Sequence, residues 1–195
     1  MAFWSTANIT DPKRNHRWLF ELGSTNADTN DFSANIAYIC KKTSRPSIEI
    51  NAAEHKFLNH TFYYPGNVTY EALSVTLVDP SDPDSSANLH KLIQHSGYVL
   101  PTNITDTVGD GGAQAGTTSK FRATQAIGNT ARIRMIDGDG NDVEVITLQN
   151  PWISKVDFGG DLAYDSDDLM EITLDIRFDW FLMTSALGGD TNILA

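Results

Sequence analysis

The sequence has one cysteine, Cys40, and so has no means of closing an internal disulfide. Long apolar runs are missing too: nothing approaches the roughly eighteen consecutive apolar residues that a membrane-spanning helix needs. Cations are scarce. The 14 Lys and Arg stand against 25 Asp and Glu, a net charge of −11, and a surface of that sign repels phosphate rather than gripping nucleic acid. The first residues, MAFWSTANITDPKRNHRW, place their bases after a short apolar patch, the reverse of a secretory leader, so cytoplasmic assembly is expected. What is present, 195 residues with 41% hydrophobic and 10% aromatic content, suffices for one core, and 1–195 is read as a single domain.

The dominant pattern is period two. Met170, Ile172, Leu174, Ile176, Phe178 and Trp180 alternate with Glu171, Thr173, Asp175, Arg177 and Asp179, which predicts one long, half-buried strand. Further strands are expected at Arg17–Leu22, Ala34–Cys40, Ser47–Ile50, Lys56–Tyr64, Tyr70–Val78, Ala131–Ile136, Val143–Leu148 and Trp152–Phe158. Pro65 and Gly66 read as a break between strands, and the Gly-rich acidic run Asp137–Asp142 as a hairpin turn. One helix is expected, with Asp82 as N-cap, Pro83 in its first turn, Leu89, Leu92 and Ile93 on one face, and Gly97 at its end. The fold class is therefore mainly β, a two-sheet sandwich or barrel with one flanking helix. The start of the chain, the Gly-rich loop 106–120 and the small-residue tail 182–195 read as flexible connections.

Chemistry-bearing patterns are incomplete. The turn DGDGND at Asp137–Asp142 alternates carboxylates as a calcium loop does, but its sixth position is Asp142 where Gly is needed and its twelfth is Leu148 where Glu is needed. The cluster Asp161, Asp165, Asp167 and Asp168 has no spacing that fixes a coordination geometry. In GGAQAGTTSK, Gly111 and Gly116 have the separation of a phosphate cradle, but Thr117 replaces the essential Lys and no helix pattern follows. The five histidines lack zinc-ligand spacing, and no serine sits in a G-x-S-x-G elbow. No cofactor or metal site and no enzyme is expected. Two competing readings remain: a monomeric sugar-binding β-sandwich using exposed Trp and Tyr, and an enzyme holding metal on its acidic turns.

Two segments resemble a known family. PGNVTYEALSVTLVDPSDPDSSANLHKLI, from Pro65 to Ile93, is similar to the strand, short polar turn and helix of tail tube proteins from contractile-tailed bacteriophages. ITLQNPWISKVDFGGDLAYDSDDLMEITLDIRFDWF, from Ile146 to Phe181, resembles the same family's C-terminal pattern. Its marks are the pair Pro151–Trp152, the acidic turn Asp165–Asp168, the run Glu171–Leu174 and the aromatic-Asp-aromatic triplet Phe178–Trp180. The match covers about a third of the chain; the long start, the Gly-rich loop and the tail depart from it.

The resemblance implies a virion structural protein, assembled in the host cytoplasm and carrying no cofactor. Its copies would form hexameric rings that stack into the inner tail tube, with sheath, baseplate and tape-measure proteins as partners. DNA would pass through the lumen without specific binding, and no membrane would be involved. A tube-initiating or connecting protein at a baseplate or in a contractile injection system is the alternative within the same class. On this reading the negative charge acquires a use, because an anionic wall lets DNA slide. Glu49, Glu54, Glu171, Asp175 and Asp179 are the candidate lumen carboxylates. The hairpin-like region Arg45–Tyr64 is the candidate arm to a neighbouring ring, and Tyr63, Tyr64 and Trp152 are candidate interface residues. The alternatives are ordinary core strands for that region and packing against the helix for Trp152 and Trp180.

Overall fold

Alternation of apolar and polar residues fixes two antiparallel sheets that share one core. The computed structural model describes residues 12–23, 30–82, 84–98, 118–160, 162–165 and 167–185. The expected flexible start before residue 12, loop residues 106–117, the tail after 185, Pro83 and Asp161 lie outside the described residues. The first sheet contains β1 (Trp18–Leu22), β6 (Thr130–Ile136), β7 (Asp142–Gln149) and β10 (Trp180–Ser185), in the order β1-β6-β7-β10. The second contains β2 (Cys40–Thr43), β5 (Leu73–Val78), β8 (Trp152–Asp157) and β9 (Glu171–Arg177), in the order β2-β5-β9-β8. Phe20, Ile133, Ile146 and Leu148 of the first sheet join Leu73, Leu77, Ile172 and Leu174 of the second in a continuous apolar cluster. The period of two thus buries one face of each sheet and leaves the other polar. The architecture is the mainly β, two-sheet fold expected from the sequence.

Several local expectations are corrected. Residues 34–39 belong to a helix, α1 (Asn30–Ile39), because Ile36 and Ile39, three apart, both reach the core while Tyr38 stands in solvent. The same residues read as an alternating strand only when Ile36, Tyr38 and Cys40 are taken as the buried set. The helix α2 (Ser85–His95) begins two residues later than expected: Asp84 caps it by accepting from the Ala87 N–H at 3.0 Å, and Asp79 accepts from the Ser86 backbone and hydroxyl. A further helix, α3 (Lys120–Ile127), was not expected at all. Its signals are short: Ser119 accepts from the Arg122 N–H, and Gly128 closes it at φ 89°. The sequence after GGAQAGTTS is therefore helical, although the Lys required of a phosphate cradle is still missing.

The long closing strand is broken. β9 ends at Arg177 and β10 starts at Trp180, each in a different sheet, so the chain turns a corner at Phe178 and Asp179. β10 continues through Ser185, so the first residues assigned to the tail are strand. The expected hairpin turn at Asp137–Asp142 joins β6 to β7, closed by the Asp137 carboxylate accepting from the Asp139 and Asn141 N–H groups at 2.8 Å each. Those bonds hold the Asp137 carboxyl below the usual carboxylate range, and they give it a structural task in closing the turn.

Pro65 and Gly66 do not end a strand. They lie inside β4 (His60–Tyr70), which pairs with β3 (Ile48–Phe57) in a separate two-stranded sheet. The strand expected at Lys56–Tyr64 is the tip of this hairpin, reversed at Leu58 and Asn59. Ile50 pairs with Val68 and Ala52 with Pro65, so Gly66 and Asn67 together face Asn51: a bulge. A Cβ on Gly66 would lie 2.9 Å from the Asn51 carbonyl oxygen, which explains glycine there.

Candidate assembly surfaces

The β3–β4 hairpin is an arm. All ten residues of β3 are exposed, and in β4 only Thr61 and Tyr70 are less than exposed. Neither strand joins the four-stranded sheets. Strand register sorts the side chains by face. Ile48, Ile50, Tyr63 and Val68 share one face, with Glu54 and Pro65; Phe57, Phe62 and Tyr64 share the other, with Glu49, His55 and His60. Tyr63 and Tyr64 remain 65% and 56% accessible, so the reading of this region as core strands is not what the structure shows. A soluble sheet ordinarily covers one apolar face; this one has two bare ones. An isolated two-stranded hairpin is marginal in water, so both faces call for cover.

The arm's root is fastened in three ways. Tyr70, at the end of β4, packs against Phe178 and Phe181 with ring centroids 5.9 and 5.8 Å away. Ser47 donates to Glu71 at 2.6 Å across the base. Glu144, 5% exposed on the inward face of β7, takes ion pairs from Lys13 and from Arg45, the residue that leads into β3. Glu144 was not singled out in the sequence. Its signal was there: in Glu144, Ile146 and Leu148 it occupies an inward-facing position where an apolar residue is expected.

The five candidate lumen carboxylates are not gathered together. Glu49 and Glu54 occupy opposite faces of the arm. Glu171 and Asp175 share the outward face of β9, where Glu171 pairs with Lys41, and Asp175 sits in register with Ser74 on one side and Lys155 on the other. Asp179 stands at the β9–β10 corner, where Lys120 Nζ donates to both carboxylate oxygens at 2.6 and 2.7 Å and Asn150 donates at 3.0 Å. The Lys120 contact, then the Asn150 one, holds the Asp179 carboxyl below its usual range. Asp179 therefore ties α3 to the sandwich corner. Trp152 is half-buried beside Ser119, Lys120 and Ala123 at the start of α3, whereas Trp180 is largely exposed.

Among the described residues no three His, Cys, Asp or Glu side chains converge to hold a metal ion, and no helix is long and apolar enough to cross a membrane. Burial pushes the Cys40 thiol up to about 12, so it is protonated and a poor nucleophile at neutral pH.

No family model and no curated protein matches the sequence. Solved structures do match. A chain of the anti-feeding prophage cap, its tube-terminating cap, superposes with a TM-score of 0.61 at 10% identity over 95% of this chain and 100% of that one. A chain of the sheath–tube complex of the PVC extracellular contractile injection system gives 0.60 at 11% identity, over 91% and 94%. A chain of the six-fold symmetrised anti-feeding prophage baseplate gives 0.56 at 13% identity, over 90% and 97%. The chain thus has a fold found in the tube, cap and baseplate assemblies of contractile injection particles.

Proposed function

We infer that this chain is a structural subunit of the inner tube of a contractile tail or injection particle, polymerising as stacked hexameric rings around a channel. The observation that carries the reading is the arm: a hairpin outside both main sheets with large apolar side chains on both faces, which a lone molecule leaves in water. A second copy of the chain is the partner that covers such a surface in every subunit alike. The fold shared with chains of a sheath–tube complex, a tube cap and a six-fold symmetrised baseplate supports the same reading. Sheath, baseplate and tape-measure proteins are the further partners, and assembly takes place in the host cytoplasm.

We assign the outward face of β2-β5-β9-β8 to the channel wall. Among its described residues Asp157, Glu171 and Asp175 stand against Lys41, Lys42, Lys155 and Arg177, with Lys41 paired to Glu171 and Lys155 to Asp157, so charges of both signs are interspersed and phosphate meets carboxylates among the cations. The cargo is DNA, consistent with the phage tail tube that the sequence resembles. The likeness to a tube-terminating cap chain favours one second reading, a protein that starts, ends or joins tubes instead of filling them.

Sedimentation of the purified full chain over a range of concentrations and salt tests the proposal. Annular and tubular species growing with concentration are expected; a single monomeric species throughout would overturn it. Single rings that never stack would favour the terminating or joining role.

A further inference from the structure

The two faces of the arm differ in how they answer to pH. Register puts Glu54 and Lys56, one acid and one base, on the face of Ile48, Ile50 and Tyr63. The other face carries no Asp, Glu, Lys or Arg beyond Glu49 near the root: Asn51, Ala53, His55 and Phe57 come from β3, and His60, Phe62 and Tyr64 from β4. Imidazole is the side chain that gains a proton between pH 8 and pH 5, whereas a phenol such as that of Tyr64 is uncharged throughout that range.

His55 pairs with Phe62 and His60 with Phe57, so each imidazole has one phenylalanine across from it and another two residues along its own strand. The His60 ring stands edge-on to Phe62, with centroids 4.7 Å apart and planes at 71°. The two histidines are diagonal neighbours, roughly 7 Å apart. Both are exposed, as are Phe57, Phe62 and Tyr64 around them. Glu49 lies further back along β3, about 20 Å from His55 at the rise of a strand, beyond the roughly 8 Å reach of an exposed charge at physiological ionic strength. Glu54 and Lys56 flank His55 in sequence, but they lie on the opposite face and offset each other. Neither main sheet pairs with the arm.

We propose that His55 and His60 make the arm a pH gate for polymerisation: with both imidazoles neutral this face is covered by a second copy, and with both protonated it stays in water. The proposal rests on the reading above that another copy covers the arm, and it adds what regulates that cover. Taking Phe57, Phe62 and Tyr64 out of water is favourable at any pH. An imidazolium taken with them loses its hydration, and two of them so close repel each other. Attraction between an imidazolium and a neighbouring ring recovers little of that loss. Polymer is therefore favoured above the range in which imidazole titrates and disfavoured as pH falls through it.

Sedimentation of the full chain at pH 7.5 and pH 5.5, at one ionic strength, reads the critical concentration for polymer. It is expected to rise about hundredfold on acidification, about tenfold for each imidazole that must shed a proton. His55→Gln combined with His60→Gln is expected to polymerise at both pH values with at most about a twofold difference, and each single variant to show about a tenfold one. His55→Lys combined with His60→Lys makes the charge permanent; it is expected to stay unpolymerised at pH 7.5 while its body melts within a few degrees of the native protein. A native critical concentration that is unchanged or lower at pH 5.5 would overturn the gate and leave the tube reading standing. So would a double Gln variant that is as pH-sensitive as the native chain or fails to polymerise, or a double Lys variant that polymerises normally. A native chain that forms no polymer at either pH would overturn the tube reading itself, and the gate with it.

Discussion

Asp179 is a corner fastener. Its two bonds from Lys120 and one from Asn150 join α3 and the β7–β8 junction to the point where the chain passes from one sheet to the other. Because these contacts lower its folded pKa, the stability it contributes is fully present above the ordinary carboxylate range, near about pH 4. That contribution is lost as pH falls through the lower folded value. Asp179→Asn should cost about 1–2 kcal/mol at neutral pH, discounted for partial exposure, and should flatten the acid limb of a stability-versus-pH curve. An unchanged acid limb would show that the ion pair contributes nothing. Cys40 makes a second prediction at this scale. With its thiol raised to about 12, alkylation at pH 7.5 should be slow in the native protein and rapid once denaturant unfolds it.

At the scale of elements, the arm is the feature on which the functional account depends, and Gly66 sets its shape. Gly66→Val would drive a side chain into the Asn51 carbonyl, so the bulge must open and the arm must change direction. The expected result is a body that melts within a few degrees of the native protein and a chain that no longer polymerises. Tyr64→Asp, at an exposed position, should change monomer stability by less than about 0.5 kcal/mol and also abolish polymerisation. Normal tube yield would remove that aromatic from the interface. The sheets were legible in the sequence because half-buried strands write their burial directly as alternation, as in Ile172, Leu174 and Ile176. The arm was only partly legible. Strands exposed on both faces carry apolar residues on both, which obscures the period, and a Pro–Gly pair inside a bulge looks like a turn. The helix α1 was hidden by a short segment that satisfies two periods at once, and only the contact of Ile36 and Ile39 with the core decides between them. The site carboxylates were identifiable as polar-face residues, but whether each has a basic neighbour, as Asp179 has Lys120, depends on strand and helix packing.

At the scale of the whole molecule, the apolar side chains of the arm stand in water on both of its faces, and the proposed stacking is what would cover them. The channel assignment makes its own prediction. Glu171→Lys combined with Asp175→Lys removes two of the carboxylates interspersed among the cations of this sheet face and adds two cations, so tubes of this variant should retain double-stranded DNA more strongly at low salt than native tubes and release it as salt rises. Equal DNA retention would place this face outside the lumen. The most direct measurement is an electron micrograph of the concentrated, purified chain. The account predicts rings with a hollow centre, stacked into tubes of uniform width; a field of separate compact particles at every concentration would contradict it.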